Sequence, residues 1–163
     1  MKNPSRARDE PDSSRSSNSP GSPRLPISRR LTVLAQHDQL AKLALFVAAA
    51  AGEVGFDEAQ INRIELAVDE ACSNVIDHAY RGAPGDIQLD VQIEPHQQLV
   101  IVIVDHGQPF NPEQVPAFAP CTSLDEIKIG GLGIHLMKQA MDDVCYEFNV
   151  PGIGNRLTMS KRL

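Results

Sequence analysis

Residues 87–94 read IQLDVQIE, with every second residue apolar. Ile87, Leu89, Val91 and Ile93 therefore share one face of a strand, and Gln88, Asp90, Gln92 and Glu94 share the other. Such alternation belongs to an antiparallel strand with one buried and one wet face. After a polar turn at residues 96–98, the run LVIVIV at 99–104 fits the centre of the same sheet. A chain carrying this pair has to cover one face of a sheet, and its other periodic segments are helical.

Two helices precede the pair. Asp38 is placed to cap the first, over about 39–51, with Leu40, Leu43, Ala44 and Val47 inward and Gly52 and Gly55 as stops. Asp57 is placed to cap the second, which runs to about Tyr80 on a stripe of Ile61, Ile64, Val68, Ala71, Val75 and Ala79. Residues 27–35 read as an earlier strand. RGAPGD at 81–86 is a turn cluster. From His106 to Ile129 four prolines erase periodicity, the mark of a functional loop or lid. A helix with Ile134, Met137 and Met141 on one side comes next, then a closing hairpin of 144–149 and 156–160 around the turn 151–155. The expected fold is α+β: a two-layer α/β sandwich, its sheet mixed but mostly antiparallel, with helices on one face. The domain is expected over 26–163. Residues 1–25, rich in Ser, Arg and Pro, lack the apolar surface to offset ordering and read as a disordered tail.

Charge excludes one class of partner. Residues 1–30 hold seven Lys/Arg against three Asp/Glu, and the remainder holds eight against eighteen. The acidic body argues against direct binding of nucleic acid, which needs a basic surface. No apolar run is long enough to span a membrane, and no secretory signal is visible. Cys72, Cys121 and Cys145 are odd in number and fit no metal spacing, so reduced thiols in a cytoplasmic protein are expected.

Three motifs carry chemistry. In the second helix Glu70 and Asn74 are four residues apart and share a face, and Asp77 and His78 continue it one turn on. This line of oxygen donors beside an apolar stripe suits a ligand. The second motif is Asp105-His106-Gly107 at the end of a buried strand. A carboxylate there needs a donor, and the exocyclic amine of adenine is one. Gly107 lets the backbone approach a flat ring. Alone, such a motif is as readily an ordinary turn. The third motif is Gly130-Gly131-Leu132-Gly133 directly before a helix, where N–H groups and the helix dipole favour an anion such as phosphate. Alone it reads equally as a hinge, and it is not a Walker A loop.

In sequence these motifs read VDEACSNVIDHAY, VDHGQPF and GGLGIHLMKQAMDDVCY. Together they resemble the GHKL (histidine-kinase-like) ATPases, and most closely the anti-sigma-factor serine kinases of the RsbW-like family, over residues 31–163. The resemblance implies the Bergerat ATP-binding fold and an ATP-dependent serine protein kinase that uses Mg²⁺. Its implied partners are an anti-anti-sigma STAS-domain protein as substrate, a sigma factor that it sequesters, and a second copy of itself in a homodimer. It implies Glu70 as general base, Asn74 as the Mg²⁺ ligand, and Asp105 with Gly107 at adenine. Gly130, Gly131, Leu132 and Gly133 would lie around the phosphates, with Asp77 within the motif and Thr158 helping to hold adenine through water. Lys128 is a candidate cation for the γ-phosphate, or a solvated lysine. His78 and Tyr80 read as packing residues. Two other readings stand beside the kinase: an ATP-dependent binding switch without transfer, and a hydrolytic ATPase.

Overall fold

The computed structural model describes residues 26–94, 97–110 and 132–163. The expected tail, most of the expected lid, Lys128, Gly130 and Gly131 lie outside these residues. Strands β1 (Ile27–Leu34), β2 (Asp86–Glu94), β3 (Gln98–Asp105), β4 (Asp143–Val150) and β5 (Gly154–Arg162) form one sheet in the order β1-β2-β3-β5-β4. Every one of these pairings is antiparallel, so the parallel pair that a mixed sheet would contain is not used. Helices α1 (Leu40–Val54), α2 (Glu58–Asn74) and α3 (Leu132–Ala140) complete the α+β layers. None of the described helices is long and apolar enough to cross a membrane.

Strand alternation builds the core. Ile87, Leu89, Val91, Leu99, Ile101, Ile103, Leu157 and Met159 are buried with Leu43 and Val47 of α1 and Ile64 and Val68 of α2. Burying each such side chain contributes roughly 1.5–3 kcal/mol. Cys72 lies in this core as a free thiol, which burial pushes to a higher pKa, and Cys145 is free at the surface.

Local chemistry sets the helix ends. Asp57 caps α2 in a reciprocal box: its carboxylate accepts from Gln60 N–H at 2.7 Å, and Gln60 Oε1 accepts from Asp57 N–H at 3.0 Å. Asp38 does not cap α1. It lies in a short 3₁₀ turn, His37–Gln39, and α1 begins after Gln39 without a side-chain cap. Nor does Gly52 stop α1; the helix continues to Val54 and ends at Gly55, whose φ of 105° suits glycine. Asp142, just past α3, accepts from Lys161 Nζ at 2.8 Å and Arg162 N–H at 2.9 Å. These bonds hold its carboxyl below the usual range and explain an acid beside a helix C-terminus.

Beyond Asn74 the helix widens. Val75–Tyr80 is a π-helical turn, closed by Arg81 N–H donating to Ile76 O at 3.1 Å. Such a turn inserts one residue and rotates the side chains beyond it about the helix axis.

Candidate functional site

A cleft opens at the C-terminal end of β3, between that strand, the α2–π-turn junction and β4–β5. Ala71, Val75, Ala79, Ile103, Phe110 and Leu157 give it apolar walls, with Tyr146 and Phe148 from β4. Asn74, Asp105, Asn155 and Arg156 are the polar residues of its lining, beside the Tyr146 hydroxyl. A largely apolar slot with a few convergent polar groups is how a flat heterocycle is held.

Asp105 is buried, and its Oδ1 accepts from Gly107 N–H and from Asn155 Nδ2, each at 2.9 Å. Gly107 is where backbone closeness matters. A Cβ there would lie 2.7–2.8 Å from Ala79 atoms, and Gln108 N–H donates to Ala79 O at 2.9 Å. The loop after β3 is thus clamped onto the π turn. Tyr80 does more than pack: its hydroxyl donates to Asp86 O at 2.8 Å and accepts from His106 N–H at 3.0 Å. Tyr80→Phe would remove the partner of both backbone groups and cost about 0.5–1.5 kcal/mol. A denaturant melt is expected to show that loss with an unchanged m-value.

Glu70 and Asn74 meet as their spacing requires. Asn74 Nδ2 donates to Glu70 Oε1 at 3.4 Å, which leaves Asn74 Oδ1 as its oxygen donor. Burial raises the Glu70 pKa, opposed by that hydrogen bond. Gly133, in the first turn of α3, packs directly on the Glu70 carboxyl, where any Cβ would collide. The structure therefore joins two motifs that lie about sixty residues apart in the chain. Leu132 opens α3.

Two expected site residues are elsewhere. Asp77 is exposed and faces His37 at 3.2 Å, because the π turn rotates it off the Glu70–Asn74 line. His78 stacks on Phe110, with centroids 4.4 Å apart. Thr158 pairs with Val102 in the β3–β5 ladder, while Asp105 pairs with Asn155. Paired residues share a face and neighbours alternate, so Thr158 lies on the opposite side of the sheet from Asp105. The residue opposite Asp105 is Asn155, which the sequence pattern assigns to the turn at 151–155. A signal for it is nonetheless present: Asn155, Leu157 and Met159 are spaced by two, so a buried Leu157 and Met159 put Asn155 on the inner face.

Residues 33–161 match the histidine kinase-like ATPase domain family. The serine-protein kinase RsbW of Halalkalibacterium halodurans is 31% identical over 123 residues, covering 73% of this chain and 75% of that protein. RsbW of Bacillus subtilis is 28% identical over 119 residues, covering 70% and 74%. A solved histidine kinase domain, from a blue-light activated histidine kinase of Erythrobacter litoralis, aligns with a TM-score of 0.48 at 20% identity. That alignment covers 78% of this chain and 60% of the other. The chain belongs to the histidine kinase-like ATPase family and to its RsbW-like branch.

Proposed function

We propose that this chain is an ATP-dependent serine protein kinase and anti-sigma factor of the cytoplasm. Its substrate is an anti-anti-sigma STAS-domain protein, and it sequesters a sigma factor when that protein is absent or already phosphorylated. It acts as a homodimer. The observation that carries this reading is the Glu70–Asn74 pair, its Asn74 lining a largely apolar cleft and its Glu70 in contact with Gly133 in the first turn of α3.

The residues suit the groups required. Adenine would enter the apolar slot with its amine toward Asp105, beside Gly107, which is packed against Ala79. Asn74 Oδ1 is a hard oxygen donor of the kind Mg²⁺ accepts, and that ion takes few protein ligands when phosphates supply the rest. When bound, Mg²⁺ neutralises charge on the phosphates. Gly133 and the start of α3 lie against the phosphates, with Gly130, Gly131, Leu132 and Lys128 as further proposed contacts. Glu70 accepts the proton of the attacking serine hydroxyl, and its raised pKa makes it a stronger base than an exposed carboxylate.

The test mixes the chain with radiolabelled ATP and the antagonist encoded in its own cell. Labelled phosphoserine on the antagonist is the expected result. Tight ATP-dependent partner binding without label would instead mark a switch, and steady ATP turnover without any partner would mark a hydrolytic ATPase.

A further inference from the structure

The sheet has a second face. Helices α1, α2 and α3 bury their side chains against one side, and the strand register writes out the other. On that open side Val100, Val102 and Val104 of β3 form a central row, and none of them belongs to the core under the helices. Across the sheet at Val102, Thr158 and Cys145 follow on one side, and Asp90 and Arg30 on the other. One step along the strands, Val104 is followed by Arg156 and Glu147.

Neighbouring strands bind these charges in pairs. Arg30 donates to Asp90 through Nε and Nη2, the latter at 2.8 Å, and Arg156 Nε donates to Glu147 at 2.7 Å. In the order β1-β2-β3-β5-β4 the face therefore runs positive, negative, apolar, positive, negative. An apolar centre with a charged rim is the anatomy of a protein interface. This order is also antisymmetric about β3. A two-fold axis along β3, between two facing sheets, sets β4 of one copy over β1 of the other and β5 over β2. Every charge then meets its opposite, with Glu147 over Arg30 and Arg156 over Asp90, and Val102 lies against its own copy. The paired residues are offset by two along the strands, about 7 Å, which the crossing of packed twisted sheets and the length of an arginine side chain take up. A two-fold axis running across the strands instead sets β1 over β1 and β2 over β2, like charge on like. The charge order accepts one symmetric packing and rejects the other.

We infer that two copies of this chain associate through the open faces of their sheets, about a two-fold axis along β3, with Arg30 and Asp90 of each copy against Glu147 and Arg156 of the other. The inference rests on the homodimer reading and assigns its face. The sheets pack as a sandwich about 10 Å apart, and both helical layers and both clefts stay on the outside.

The experiment is sedimentation velocity on the full chain and on charge-reversed variants. The wild type is expected to be a dimer. Asp90→Lys alone, or Arg156→Glu alone, brings like charges together twice per dimer, because the axis doubles each contact. Each is expected to weaken association by about 100-fold or more. An equimolar mixture of the two variants is expected to regain the dimer, since each reversed charge then meets the other across the axis. Both chains in that mixture still lack one internal ion pair, so the recovery reads the interface and not the fold. Variants that dimerise like the wild type overturn the inference and leave the homodimer reading to another face. Monomeric variants whose mixture stays monomeric also overturn it. A monomeric wild type overturns it and removes the homodimer reading as well, while phosphotransfer to the antagonist tests the kinase reading separately. Should Asp90→Lys not fold, Arg30→Glu mixed with Glu147→Arg, the outer charges of the same clusters, carries the same comparison.

Discussion

Glu70→Gln is expected to lower phosphotransfer by about 10²–10⁴-fold while ADP affinity changes by less than a few fold. Glutamine keeps the shape that packs on Gly133 and a carbonyl oxygen to accept from Asn74. What it loses is the capacity to take a proton. The pH profile separates this role from a structural one. Burial raises the Glu70 pKa, so the base protonates at a higher pH than an exposed glutamate, and the wild-type rate falls on the acid side through that raised value. In the glutamine variant the residual rate lacks that limb. Stability moves the other way. A carboxyl whose folded pKa lies above its unfolded value contributes most below the unfolded pKa. That contribution is lost as pH rises through the folded value. At pH 7 the wild type therefore carries a partly buried charge that glutamine does not. The variant is expected to melt slightly higher at pH 7, with the gap closing in acid. Wild-type phosphotransfer in the variant would remove Glu70 from the role of general base.

The parts of this fold that derive from period and caps were legible in the chain. The alternation at 87–94 fixes which residues of β2 face the helices, and the apolar run of β3 fixes its central place. The Asp57 box forms where its spacing says it does. Pairings between distant strands were legible only in part. The β5 pattern permits Asn155 opposite Asp105, but only the β3–β5 register decides between Asn155 and Thr158. The π turn had no signal in the period of the apolar stripe, because Ala79 remains buried across it. Continuing a 3.6-residue repeat past Asn74 therefore brought Asp77 into the site, where the wider turn has rotated it out. The contact of Gly133 with Glu70 is likewise tertiary, and the two motifs name its residues without joining them.

Gly107→Ala is expected to weaken ADP binding by about 100-fold, equivalent to the upper part of the usual 1–3 kcal/mol cost of overpacking. The added methyl would meet the carbonyl carbon, Cβ and oxygen of Ala79 at 2.7–2.8 Å. Two of those atoms are backbone in the π turn, so the loop after β3 has to retreat. Its retreat breaks the Gln108–Ala79 hydrogen bond and shifts both groups that Gly107 holds. One is the Asp105 carboxylate, bonded to the Gly107 N–H; the other is Asn155, bonded to the Gly107 carbonyl. Asp105, the proposed adenine acceptor, and Asn155 therefore move together, which is why one methyl is expected to act on binding more than on folding. Gly52→Ala supplies the comparison. It lies in α1 with nothing within 4 Å of the added carbon, and it is expected to stabilise by about 0.5–1 kcal/mol without touching affinity. Calorimetric titration of ADP alongside thermal melts distinguishes the outcomes. Unchanged ADP affinity in Gly107→Ala would mean that the loop after β3 does not form the base site, and Asp105 would lose its assigned role with it.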